Sequence, residues 1–204
     1  MKAPPGNMLT VTPHTRAEKG RRVMRAFLLA AGCLGVPASG LPSPATDPGT
    51  KEFAVKAAFI FHFTQFIEWP PRGEVAELKV CVLGEDVFGD ALRALESRSS
   101  RQKIAVTYPN TAAEARQCQI VYLASHQKDV LAAQLGTVQG SNTLTVGSVP
   151  GFVDQGGAIG FVIEGGKVRL EINTQATQRA NLKLSSKLLE VATRVVTQSP
   201  RSRP

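Results

Sequence analysis

The chain has 204 residues, 43% of them apolar, and its 24 Lys/Arg against 16 Asp/Glu give a formal net charge of +8. That length suits one domain with its own core, and no internal repeat is evident. The charge is not a nucleic-acid footprint: residues 1–50 hold six Lys/Arg and two Asp/Glu, residues 51–204 hold eighteen and fourteen, and the longer part has no basic stripe interleaved with aromatics.

The N-terminal charge has a use. Lys19, Arg21, Arg22 and Arg25 precede an apolar run from Ala26 to Val36, which passes into small residues around Ala38 and Gly40. This is the layout of a secretory signal peptide, and the run is far short of the roughly 20 apolar residues that span a bilayer. Residues 1–38 are therefore expected to be a signal peptide, with a start at Met8 or Met24 as an alternative, and the product to be exported. Cys33 in "AAGC" makes only a weak lipoprotein box, because Ala30 stands where Leu is usual. Residues 39–50 are rich in Pro, Ser and Gly and read as a disordered lead-in. A single α/β domain is expected over 51–197 and a disordered tail over 198–204.

The domain opens on "VKAAFIFHFTQFIEWP" (Val55–Pro70), the aromatic-rich part of a chain that is only 6% aromatic. Lys56, His62, Gln65 and Glu68 interrupt it, so it cannot be a membrane span. Its apolar residues fall in two helical stripes, Val55, Phe59, Phe63 and Phe66, and Phe53, Ile60 and Ile67, with Phe61 outside both. A helix apolar on most sides is mainly core, with each buried Phe contributing roughly 1.5–3 kcal/mol.

Strand-like and helix-like patterns then alternate. "LKVCVLG" (Leu78–Gly84), "KIAVTY", "QIVYLA" and "TLTV" are short runs without clean alternation. Between them come a helix opened by Asp86 with Phe88, Leu92 and Leu95 inward, a short helix near Ala112–Gln117, and a helix marked by Leu131, Leu135 and Val138. This is the pattern of a doubly wound, three-layer α/β fold on a mostly parallel sheet buried on both faces. In the strand order 2-1-3-4 the first and third runs lie side by side, which brings Cys81 and Cys118 within bridging reach. Once Cys33 is cleaved away these two form an even pair, either a disulfide or two buried thiols. A bridge over about 36 residues would stabilise the fold by roughly 3–4 kcal/mol.

The last third reads differently. "AIGFVIEGGKVRLEIN" is a hairpin turning at Gly165-Gly166, with Val168, Leu170 and Ile172 inward and Arg169, Glu171 and Asn173 outward. "ANLKLSSKLLEVATRVVTQ" places Leu184, Leu188, Val191 and Val195 on one stripe and predicts an amphipathic helix packed on the domain.

Catalytic constellations are hard to find. His62 sits among Phe residues and reads as a packed imidazole. "GSVPG" (Gly147–Gly151) has the wrong spacing for a nucleophile elbow. Ser185, Ser186 and Lys187 are adjacent, so on a helix they point apart. "QGGAIG" (Gln155–Gly160) precedes a strand rather than the helix a phosphate loop needs, and reads as a turn feeding the hairpin. No catalytic residue, metal or cofactor is expected.

Three blocks in order, "KAAFIFHFTQFIEWP", "PGFVDQGGAIGFVIEGGKVRLEIN" and "ANLKLSSKLLEVA", resemble the YfiR family of periplasmic proteins over about Glu52–Ala192. The resemblance implies a periplasmic, non-enzymatic repressor that binds the periplasmic sensor domain of an inner-membrane diguanylate cyclase, or another sensor, and so lowers cyclic di-GMP. It also implies relief by an outer-membrane lipoprotein that sequesters the repressor. Cys81 and Cys118 match one disulfide of the family. A second pair, around "GFVDQGG", is missing here, so a structural bridge is the inference. A homodimer is an open option.

The leading expectation is thus a periplasmic binding protein with Arg169 and Glu171 on the outer face of an edge hairpin as partner contacts. The alternative is a small-molecule-binding module with its pocket at the C-terminal ends of the parallel strands, near Gly84, Ala124 and Gly147.

Overall fold

The computed structural model describes residues 48–70, 77–98 and 103–197, and in them a seven-stranded mixed sheet with helices on both faces. The signal-peptide segment, most of the lead-in and the tail lie outside the described residues. In chain order the elements are α1 (Pro48–Phe66), β1 (Ile67–Glu68), β2 (Glu77–Leu83), α2 (Asp90–Arg98), β3 (Lys103–Thr107), α3 (Ala112–Ala115), β4 (Ile120–Leu123) and α4 (Lys128–Val138). They continue as β5 (Leu144–Gly147), β6 (Ile159–Glu164), β7 (Lys167–Asn173), α5 (Thr174–Arg179), β8 (Lys183–Leu184), α6 (Ser186–Glu190) and β9 (Ala192–Val196).

The sheet order is β3-β2-β4-β5-β6-β7-β9. Its first four strands are the four apolar runs in the order 2-1-3-4, all parallel. β6 joins β5 in parallel and returns antiparallel as β7 through Gly165 and Gly166, both at positive φ (56° and 70°). Glycine takes both conformations without steric cost, which suits a two-residue hairpin turn written Gly-Gly.

Each face of the sheet has its own core. Leu78, Val80, Val82, Ile120, Tyr122, Leu144, Ile159, Phe161, Leu170 and Ile172 face α1 and α2, with Ala57, Ile60, Phe63, Phe88, Leu92 and Leu95 packed on them. Cys81, Leu83, Val121 and Leu123 face α3 and α4, where Ala115, Leu131, Leu135 and Val138 close the other layer. The alternation of β2 and β4 sorts their residues between the two cores, as a strand covered on both faces requires.

Several expectations need correction. The helix expected over "ANLKLSSKLLEVATRVVTQ" (180–198) is not one helix. The segment forms β8, paired antiparallel with β1, then the short α6, then β9, parallel to β7. Thr193, Val195 and Val196 are β-branched and lose rotamer freedom in a helix; in β9 Val195 and Val196 pair with Ile172 and Asn173 of β7 instead. β7 is therefore not an edge strand. α1 starts at Pro48, so the last residues of the expected lead-in are helical. Asp86 does not begin α2; its carboxylate accepts from the Phe88 and Gly89 amides, and the helix starts at Asp90. His62 is exposed rather than packed, and Val55 is 44% exposed. Conversely Lys56, expected to break the apolar surface, is 3% exposed. Its ammonium lies 2.5 Å from Glu52 and 4.8 Å from the Phe53 ring centroid, so its charge is paired within the helix and against an aromatic face.

Candidate functional site

The C-terminal ends of β2, β4 and β5 form the crevice where open α/β sheets bind ligands. Here the β5–β6 side of that space is occupied by protein. Phe152, 1% exposed, lies between Gly147 at the end of β5 and Gly157 before β6. A Cβ on Gly147 would sit 2.4 Å from the ring, and one on Gly157 only 2.1 Å from it. Bare backbone on both sides is what admits the ring. Across the sheet, a Cβ on Gly84 would meet Ala124 at 3.3 Å, and the Tyr122 hydroxyl is 2.9 Å from that of Ser148. Burial pushes the Tyr122 phenol above its ordinary pKa, so it stays neutral. A second concavity, between α4 and α5, is lined by Leu135, Val138, Thr143, Thr145, Ala176 and Arg179, and its volume of about 20 Å³ has room for about one water.

The turn that Phe152 anchors supports the hairpin. The Asn173 side chain, fully buried, donates to the Val153 carbonyl at 2.8 Å and accepts from the Ala176 amide at 2.9 Å, capping α5. Sequence reasoning placed Asn173 among the outward polar residues of β7; its buried role follows from the turn that folds over it.

One residue after Val153, Asp154 reaches β9. Arg194 grips its carboxylate with both terminal nitrogens, at 3.0 and 2.5 Å, and also donates to Glu171 on β7 at 3.4 Å. The pairing follows from register, because Glu171 and Arg194 are partners across β7 and β9. Arg194 holds the Asp154 carboxyl below its ordinary pKa, and the Arg194 guanidinium is raised in turn. Glu171 is thus no free contact residue: its side chain is 15% exposed and already engaged. Arg169, on the same face two residues earlier, is exposed. The structure therefore places Arg169 and Glu171 on one face, as alternation requires, but it adds Asp154 and Arg194, neither of which sequence reasoning chose. The only signal for them was the β-branched context of "ATRVV", which marks Arg194 as a strand residue.

On the same face of the sheet, in the core cluster that holds Phe152, Cys81 and Cys118 are bonded, with Cα atoms 6.1 Å apart. Both are buried, and the Thr107 hydroxyl lies 2.9 Å from the Cys81 sulfur. Cys118 stands just before β4, so the bridge ties that strand's entrance to the middle of β2. Among the described residues no group of three or more His, Cys, Asp or Glu is placed to hold a metal ion, and no helix is long and apolar enough to cross a membrane.

A model of the YfiR/HmsC-like family matches residues 53–193, from α1 into β9. The chain belongs to this family. Membership suggests a periplasmic regulator of cyclic di-GMP signalling. Among solved structures, this YfiR/HmsC-like chain is similar to a conserved domain protein from Vibrio cholerae O1 biovar El Tor strain N16961, at 11% identity over 70% of this chain and 60% of that one, with a TM-score of 0.48. It is also similar to the ABC domain in complex with L-Trp from Streptococcus pneumonia, at 11% identity over 73% of this chain and 60% of that one, with a TM-score of 0.44. The chain spans 60% of the length of each. No curated protein matches it.

Proposed function

We propose that this protein is a periplasmic repressor that acts by binding rather than by catalysis. It holds down an inner-membrane diguanylate cyclase by engaging the periplasmic sensor domain, which lowers cyclic di-GMP, and an outer-membrane lipoprotein that sequesters it relieves the repression. The observation that carries this reading is the family match over residues 53–193. Phe152 supports it: seated against Gly147 and Gly157, its ring takes up the β5–β6 side of the crevice in which a ligand of such a fold would lie. The surface proposed for the partner is the outer face of β7 and β9, where exposed Arg169 lies beside the Glu171–Arg194–Asp154 network.

Deletion of the gene tests the function. Cyclic di-GMP should rise severalfold under conditions of expression and return on complementation. Unchanged nucleotide levels in the deletion strain would reject a repressor role.

A further inference from the structure

The seven-stranded sheet has two edges, and they are treated differently. At the β3 edge, the Glu96 carboxylate of α2 accepts from the Val106 amide at 2.8 Å, and Lys103 is paired with Glu77 at 3.0 Å. A side chain thus occupies a backbone donor that a new strand would need, which is one way natural sheets close an edge. At the β9 edge, among the described residues, no side chain caps a backbone amide of Ala192–Val196; the hydroxyl contacts there are Thr174 to the Val196 carbonyl and Thr193 to the Leu170 carbonyl. The one charge on β9 is turned back onto the sheet, because Arg194 is held by Asp154 and Glu171. It fixes the strand without guarding its free side. Val195 is 40% exposed on that strand, and Val191, just before it, is 56% exposed.

We propose that β9 is the edge to which the partner adds an extended, acidic segment as an eighth strand. This deepens the regulatory reading and rests on it. Unpaired backbone groups on a strand select another strand as their complement. The sign of the partner follows from charge. Residues 161–197, together with Asp154 that reaches β9, hold six Lys/Arg (Lys167, Arg169, Arg179, Lys183, Lys187 and Arg194) against four Asp/Glu, while the rest of residues 51–160 hold ten Lys/Arg and ten Asp/Glu. The basic balance is therefore confined to the part of the domain that carries the open edge. Two copies of the chain meeting there would bring like charge together, and an acidic segment would be steered in.

The test compares cyclic di-GMP in strains carrying the deletion, wild type, Val195→Asp and Val195→Thr on β9, and Ala105→Asp on β3, with thermal unfolding of each purified protein. Val195→Asp should raise the nucleotide to at least half of the deletion level while unfolding within a few degrees of wild type. Val195→Thr, which keeps a β-branched uncharged side chain, and Ala105→Asp should repress normally. Normal repression by a folded Val195→Asp protein, in a strain where deletion does raise the nucleotide, overturns the strand-addition proposal and leaves the repressor role standing. Derepression by Ala105→Asp instead assigns the wrong edge and overturns it too. A wild-type dimer in sedimentation that Val195→Asp dissociates makes a second copy the occupant, again overturning it. No rise on deletion removes the regulatory reading and this inference with it.

Discussion

Gly157→Ala is the sharpest test of the filled crevice. The new Cβ would lie 2.1, 2.3 and 2.6 Å from three atoms of the Phe152 ring, against the roughly 3.5–4 Å of ordinary carbon contact. The ring must move by more than an ångström, and it cannot do so freely, because its other side already abuts the Gly147 backbone. Overpacking of this kind costs about 1–3 kcal/mol, and the lack of room on the far side places the expected loss toward about 3 kcal/mol. Backbone strain adds nothing, since Gly157 does not have the left-handed φ found at its neighbour Gly156 (+98°). Gly156→Ala is therefore the matched control: nothing lies within 4 Å of its new Cβ, and its cost of about 1 kcal/mol is conformational. Phe152→Ala alone should lose about 3–5 kcal/mol. In that background Gly157→Ala should cost less than about 0.5 kcal/mol, whereas Gly156→Ala should cost what it did before. Urea unfolding of the oxidised protein, with equal slopes across the set, measures all five variants. A Gly157→Ala protein within about 0.5 kcal/mol of wild type, or strict additivity with Phe152→Ala, would refute the account of a ring clamped between two glycines.

Thiol labelling of unreduced protein purified from the periplasm should find no free cysteine, and Cys118→Ser should lower stability by roughly 3–4 kcal/mol for the loop that the bridge closes. Because Arg194 lowers the Asp154 pKa, the pair adds stability above the ordinary carboxylate range and loses it as pH falls through the depressed value. Wild type should therefore lose more of its melting temperature on acidification than Asp154→Asn does, and parallel curves would contradict that assignment. Glu171→Lys places a second cation against Arg194 at a site whose side chain is 15% exposed, so its melting temperature should fall by several degrees, while Arg169→Glu, at an exposed position, should melt within about a degree of wild type. Repression by Arg169→Glu at the wild-type level would take that residue off the partner surface.

Most of the sheet was legible because its signals are local. Four short apolar runs separated by helical spacing leave few topologies once crossovers are right-handed, and the Gly-Gly turn fixes the hairpin by φ alone. The cysteine pair agreed with that strand order, because adjacent parallel strands bring Cys81 and the entrance of β4 together. The C-terminal segment was misread because its spacing satisfies two periods. Leu184, Leu188, Val191 and Val195 suit a helix face, and Val191, Thr193, Val195 and Val196 suit a strand. What decides is the free side of β7, a feature of the assembled sheet and not of the segment. Lys56 shows the same limit: burial of an ammonium depends on Glu52 one turn earlier and on Phe161 more than a hundred residues later. The Asp154–Arg194 pair joins a loop to a strand that sequence patterning had assigned to a helix, so no reading of that helix could have found it.

The two ends of the sheet bear on how such a protein could signal. The crevice end is rigid in its construction: a ring between two glycine backbones, a tyrosine hydroxyl met by Ser148, and a buried asparagine that satisfies a loop carbonyl and a helix amide. A site built this way resists opening, because moving any member leaves a buried polar group unpaired or a void where the ring was. The β9 end is fixed differently, by a partly exposed ion-pair network and a five-residue strand with three exposed members. Interactions of that kind are cheap to break and to remake, and they respond to salt. The regulator proposed above, held by one partner and taken away by another, would need its exchangeable surface at such an end. The Phe152 turn joins the two: it is locked at the crevice and presents Asp154 to β9, so the loop that closes the ligand position also steadies the strand a partner would meet.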